Sequence, residues 1–276
     1  MKKLKTSFFL SLFLLICVTV QSQAQVDTVM TFSKSMSKEI KAVIISPERL
    51  DASKQYPVTY LLHGYSGNYK SWIEGVPELV DLAERYQMII VTPDGNFDSW
   101  YWDSPEKPES NYETYIAQEL VSFVDANYPT INSKEGRAIT GLSMGGHGAL
   151  FLAFRHQDIF GAAGSQSGGV DITPFPESWN MKSYLGAKSN FPQRWKDYSV
   201  MGQIHLLSRD RLPIIIHCGT DDFFYPANLK LHEELTYQNI PHTFTANPGG
   251  HNWDYWKESV QYQLLFFHNF FRSSKP

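Results

Sequence analysis

Cysteine is almost missing from this chain: among 276 residues there are only Cys17 and Cys218. Cys17 falls in a leader-like segment, so a mature chain would keep Cys218 alone, with no internal disulfide, and its core must hold it together. Clustered positive charge is missing too. The formal charge of the whole chain is −4, and beyond that leader-like segment no lysine or arginine cluster could grip phosphates, which argues against nucleic acid as a partner. There is no H-E-x-x-H, no cysteine pair and no tight His/Asp cluster, so no metal is expected. No glycine-rich phosphate or dinucleotide signature follows the first strand, and no other cofactor is expected either. Long apolar runs are equally scarce. The one candidate, residues 8–20, falls short of the roughly 18–20 residues that cross a bilayer.

That short run has a different reading. Lys2, Lys3 and Lys5 precede it, and Ser22, Gln23 and Ala24 follow it with small residues at cleavage spacing. Residues 1–24 therefore read as a signal peptide, which places the mature protein in the periplasm or outside the cell without a membrane span. Ile16 stands before Cys17 where a lipoprotein signal wants a small residue, which argues against lipidation. The remainder, 25–276, suits one domain, made more acidic by loss of the three lysines.

Apolar strands alternate with amphipathic helices along that remainder. Strands are expected in 57–64, 88–95, 137–143, 161–168, 212–219 and 242–250, and 38–46 alternates before turning apolar. Helices are expected over 78–87, 112–129, 145–160, 227–239 and from about residue 255 to the end. This order predicts an α/β fold with a mostly parallel sheet covered on both faces, whose ligands gather at the carboxyl ends of the strands. Residues 170–211 break the alternation and read as an insertion lying over those ends.

"TGLSMGGHGAL" (140–150) sits at one such end. Gly141, Ser143 and Gly145 fit G-x-S-x-G, after an expected strand and before an expected helix. In that setting the serine reads as a nucleophile rather than as part of a flexible turn. A serine hydroxyl needs a base, itself oriented by a carboxylate that follows the serine in the chain. His147, His156, His205, His217, His232, His242, His251 and His268 lie beyond Ser143. Of these His251 alone follows the last strand on a glycine loop, whereas His217 reads as a satisfied core histidine. "CGTDDFFY" supplies the acid as Asp221 or Asp222, and spacing does not separate them. The N–H groups of Met144 and of Tyr65, in "LLHGYSGN", are placed to receive an oxyanion.

Together "YLLHGYSGN", "VTPDG", "GLSMGGHGAL", "CGTDDFFY" and "GGHNWDYW" resemble the esterase D-like branch of the α/β-hydrolases, from about residue 38 to the terminal helix. That branch includes S-formylglutathione hydrolases, tributyrin-type esterases, mycolyltransferases, and the feruloyl and acetyl-xylan esterases of carbohydrate esterase family 1. The resemblance implies an α/β-hydrolase fold, Ser143 as nucleophile, His251 as base, and Tyr65 and Met144 as oxyanion donors. It favours Asp222 over Asp221, because the family's acid commonly stands three residues after the glycine matching Gly219. The expected export signal argues against S-formylglutathione hydrolase, whose substrate is cytosolic.

Trp100, Tyr101, Trp102, Trp179, Trp195 and Trp253 flank the expected mouth, and Trp102, Trp179, Trp195 and Trp253 are candidates to stack on sugar or phenolic rings. Taken singly, each is better explained by packing of the insertion. The expected function is an exported serine esterase that removes acetyl or feruloyl groups from plant polysaccharide. An acyltransferase of the mycolyltransferase type uses the same residues, and a non-catalytic binding protein on the same fold is the other alternative.

Overall fold

The computed structural model describes residues 25–51, 53–208 and 212–274. The expected signal peptide lies outside them. In chain order, β1 (Gln25–Ser33) and β2 (Lys38–Ser46) form a hairpin ahead of β3 (Val58–Leu62). Next come α1 (Ser71–Gly75), α2 (Leu79–Tyr86) and β4 (Ile89–Pro93). α3 (Tyr112–Thr114) runs through a π-helical stretch (Tyr115–Leu120) into α4 (Val121–Asn127), and β5 (Arg137–Gly141), α5 (Met144–Arg155) and β6 (Ala162–Gln166) follow. The expected insertion holds α6 (Met181–Leu185), α7 (Pro192–Asp197) and α8 (Val200–Gln203). The chain closes with β7 (Ile214–Gly219), α9 (Tyr225–Tyr237), β8 (Thr243–Asn247) and α10 (Trp253–Ser273).

The strands make one sheet in the order β1-β2-β4-β3-β5-β6-β7-β8. β1 and β2 run antiparallel to their neighbours, and every pairing from β4 onward is parallel. Every residue of β3, β4, β5, β6 and β7 is buried, as helices on both faces require. Successive residues divide between two cores. Tyr60 and Leu62 join the core around α5, and Leu61 joins the one around α10. α10 is amphipathic, burying Trp256, Val260, Leu264, Phe267 and Phe271 at helical spacing. α5 is buried on all sides from Met144 to Phe154, because the insertion covers the face turned away from the sheet.

The strand order reverses between β3 and β5: β4 lies on one side of β3, and the chain then crosses to the other. Loops leaving these two neighbours diverge and open a crevice, the place where ligands bind in such sheets. The insertion is tied down beside it. Asp98 accepts from Tyr184 Oη and, at 3.0 Å, from Asn180; Ser104 Oγ donates to the Tyr184 carbonyl at 2.8 Å; and Arg194 pairs with Glu106. It is a fixed wall, clamped to the loop that follows β4.

Candidate active site

At the end of β5 the chain reverses through Ser143, whose backbone sits at φ 55°, ψ −117°. A side-chain-bearing residue there stores strain on the order of 1–3 kcal/mol. The surroundings hold it: Ser143 N–H donates to the Gln166 carbonyl at 2.9 Å, and Gly145 N–H to that of Leu142 at 2.7 Å. Gly145 is needed for close approach, since a Cβ on it would lie 2.3 Å from the Leu62 carbonyl oxygen. The turn lifts Ser143 off the sheet and puts it at the positive end of the α5 dipole.

The loops after β7 and β8 converge on this serine. They are laced together by Thr220 N–H to the Asn247 carbonyl and Asp221 N–H to that of Gly249, both at 2.9 Å. The lacing presents His251 with its Nε2 2.9 Å from Ser143 Oγ and its Nδ1 2.8 Å from Asp222 Oδ2. A carboxylate only accepts, so Nδ1 carries the proton and Nε2 is free to accept from the hydroxyl. The Asp222 side chain is fully buried, and its Oδ1 accepts from Phe224 N–H at 2.8 Å. Asp221 points out into solvent. Phe223, Phe224 and Trp256 surround the imidazole at ring separations of 4.3, 5.5 and 4.9 Å. This arrangement can draw a proton from Ser143 and hold the resulting imidazolium beside a buried negative charge.

Gly64 packs against the same turn: a Cβ on it would lie 3.3 Å from that of Ser143. The N–H groups of Tyr65 and Met144 have no hydrogen-bond partner among the described residues. Above them opens a cleft of about 380 Å³ lined by Gly64, Tyr65, Ser143, Trp179, Phe223, His251, Trp253 and Trp256, among others. Other hollows exist, such as one of about 430 Å³ lined by Ile214, Ile240 and His242, but that one lies at the opposite ends of the strands.

The family model described as Putative esterase matches residues 33–267. The chain belongs to this esterase family. It is accordingly a carboxylic ester hydrolase. An acetyl esterase of Caldicellulosiruptor saccharolyticus is 29% identical over 258 residues, spanning 83% of this chain and 92% of its own. The S-formylglutathione hydrolase of Mus musculus is 26% identical over 242 residues, spanning 79% and 83% respectively. A solved ferulic acid esterase superposes with a TM-score of 0.78 at 28% identity, covering 91% of this chain and 100% of that one.

Trp100 and Tyr101 are buried rather than at the mouth of the esterase, and two of the four tryptophans offered as stacking candidates, Trp102 and Trp195, also lie away from the cleft. Trp102 is fully buried and donates from Nε1 to His147 Nε2 at 2.9 Å, beneath α5. Trp195 is also fully buried and donates to the Gly186 carbonyl at 3.0 Å, as the insertion's own core. Each indole finds its hydrogen-bond partner inside, so neither ring is offered to substrate. Trp179 and Trp253 do line the cleft. Sequence reasoning missed Phe223, half-exposed and stacked on Trp179 at 6.0 Å, and Trp256. Their only signal is adjacency: Phe223 follows the acid, and Trp256 is the last residue of the quoted "GGHNWDYW".

His147 lies one helical turn beyond Ser143 and is fully buried. Its Nε2 accepts from Trp102 and its Nδ1–H donates to the Gly169 carbonyl at 3.0 Å, so it is neutral. Burial pushes its pKa from 6.5 down to about 3, and burial likewise takes that of His217 to about 4. Both take up protons more readily when unfolded. Their contribution to stability is complete above about pH 6.5 and drains away as pH falls toward their folded values, at up to about 1.4 kcal/mol per pH unit each. Urea unfolding between pH 7 and pH 5 should show this slope, and His147→Gln should flatten it by close to one proton. An unchanged slope in that variant would mean that His147 does not titrate on unfolding.

Proposed function

We propose that the chain is an exported serine esterase that removes acetyl or feruloyl groups from plant polysaccharide through an acyl-enzyme. The observation that carries this reading is the unbroken hydrogen-bond chain from Ser143 through His251 to Asp222, opening into an aromatic-walled cleft. In the proposed cycle Ser143 Oγ attacks the ester carbonyl while His251 Nε2 takes its proton. The N–H groups of Tyr65 and Met144 receive the developing oxyanion, and His251 returns the proton to the departing sugar hydroxyl. A water, deprotonated by the same imidazole, then releases the acid. Export rests on the basic and apolar character of residues 1–24. Among the described residues no helix is long and apolar enough to cross a membrane.

The cleft walls support this choice of substrate. Trp179 and Phe223, which line the cleft, stack 18° from parallel, and Tyr65, which also lines it, is braced edge-on by Phe97 at 4.9 Å. Flat apolar surfaces of this kind suit a phenolic acyl group or a sugar ring, in line with the acetyl esterase and ferulic acid esterase similarities. Acetylated xylan, methyl ferulate and p-nitrophenyl acetate assayed side by side test the proposal, and no turnover of the first two would sink the polysaccharide reading.

The cleft and core tryptophans should then separate. Trp179→Ala is expected to raise KM on feruloylated oligosaccharide several-fold and to leave kcat on p-nitrophenyl acetate nearly unchanged, because uniform binding appears in KM. Trp195→Ala should instead lower stability by about 3–5 kcal/mol and affect both substrates alike. Parallel kinetics and melting curves would distinguish them. Equal damage to both substrates from Trp179→Ala would remove it from substrate binding.

A further inference from the structure

Beneath the cleft lies a second histidine that the proposed cycle does not use. His63 ends the run that leads from β3 into the Gly64–Tyr65 loop, and it is almost wholly buried. Its Nδ1 lies 2.8 Å from the Gly64 carbonyl oxygen, and its Nε2 lies 2.8 Å from Gly95 N. A carbonyl only accepts and an N–H only donates. Both contacts are therefore satisfied by one state, the neutral ring with its proton on Nδ1. Burial, which lowers the pKa of His63, favours the same state.

The Gly64 carbonyl and the Tyr65 N–H belong to one peptide unit. In a trans peptide these two groups point in opposite directions, so whatever anchors the carbonyl also aims the N–H. The Gly64 carbonyl is anchored twice, by His63 Nδ1–H and by Gly67 N–H at 3.0 Å. Glycine at 64 leaves this plane freer to rotate than a residue with a side chain would, so something must prevent it from flipping. We propose that His63 is the positioning residue of the oxyanion site: it holds the Gly64–Tyr65 peptide with its carbonyl turned into the protein and its N–H turned toward the cleft. The inference rests on the proposed role of Tyr65 N–H.

The far side of the ring is braced to match. Gly95 belongs to the loop after β4, and that loop returns Tyr101, whose hydroxyl donates to the His63 carbonyl at 2.9 Å. Ser66 N–H donates to the Phe97 carbonyl at 2.7 Å, so the loop grips the oxyanion segment on both sides of the Gly64–Tyr65 peptide. Tyr101 itself sits at φ 61°, and a Cβ on Gly95 would come within 2.3 Å of its ring. The aromatic run "SWYWD", whose rings are turned away from substrate at Trp100, Tyr101 and Trp102, thereby acquires a use in supporting the reacting peptide.

Two near-isosteric variants separate the ring's two contacts. The amide nitrogen of Asn occupies the Nδ1 position, so His63→Asn keeps the donor to Gly64 and loses the acceptor for Gly95. In His63→Gln the amide oxygen occupies the Nε2 position, so the variant keeps the acceptor and loses the donor. On p-nitrophenyl acetate, with active sites titrated by a fluorophosphonate so that unfolded protein drops out, His63→Gln should lower kcat by about 10²-fold with KM little changed. That is the loss associated with one oxyanion donor. His63→Asn should recover most of it, to within about tenfold of the parent. Equal losses in the two variants, or full kcat in His63→Gln, overturn the proposal. If His63→Gln yields no folded protein, His63→Asn decides alone, a 10²-fold loss of kcat counting against and near-parental kcat in favour. Turnover that survives Ser143→Ala would instead overturn the serine mechanism itself, whatever His63 does.

Discussion

Ser143→Ala is expected to lower kcat for ester hydrolysis by on the order of 10⁶-fold while leaving the protein folded. The size follows from the way a nucleophile and its base act as a unit: removing either costs about as much as removing both, and the residue left over comes from binding and the oxyanion site. The geometry makes the substitution a clean one. Alanine keeps the Cβ that packs near Gly64 and loses only the hydroxyl facing His251. It inherits the strained backbone without the polar contact, so the melting temperature should move by a few degrees at most. Labelling by a fluorophosphonate should vanish together with turnover, and prolonged EDTA treatment should leave the parent active. Near-parental kcat in the alanine variant, on an ester that the parent cleaves, would remove Ser143 from the reaction.

The parts of this molecule that were readable from sequence share a physical property. β3, β4, β5 and β7 are buried on both faces, so their apolar runs stand out without any pairing information. β1 escaped notice because its pattern is inverted. Val26, Met30 and Phe32 face solvent, whereas Thr31 and Ser33 face inward, where they bond to Tyr115 and Glu119. The glycine-flanked serine and the histidine after the last strand stand out in the sequence because the chemistry proposed for them demands strand ends. The tryptophans were not, since position near a strand end does not say which way an indole points. Trp102 and Trp179 differ in that respect alone: one turns under α5 to His147 and the other turns into the cleft. His63 stands in the quoted "LLHGYSGN", but its role was not legible there for a related reason: its importance lies in the peptide plane it holds and not in its own sequence context.

The neighbouring acids, which spacing left open, should part by a large factor. Asp222→Asn is expected to lower kcat by roughly 10⁴-fold, and Asp221→Asn by less than about threefold. Asp222 has two fixed obligations: Oδ2 accepts from His251 Nδ1–H and Oδ1 accepts from Phe224 N–H. An amide has only one oxygen. Since the Phe224 N–H is buried and cannot do without an acceptor, the amide oxygen must turn to it, which leaves the NH₂ group facing Nδ1. The imidazole must then accept at Nδ1 and carry its proton on Nε2, directed at Ser143, where it can no longer take the hydroxyl proton. The protein should fold and bind substrate with KM little altered, because nothing in the cleft wall changes. Asp221 carries no such duty. Its side chain is exposed and its backbone N–H already serves the Gly249 carbonyl, which asparagine preserves. Steady-state kinetics on one small ester, with melting temperatures to show that both variants are folded, make the comparison. A greater loss of kcat at Asp221 than at Asp222 would transfer the orienting role to the exposed neighbour and overturn the assignment.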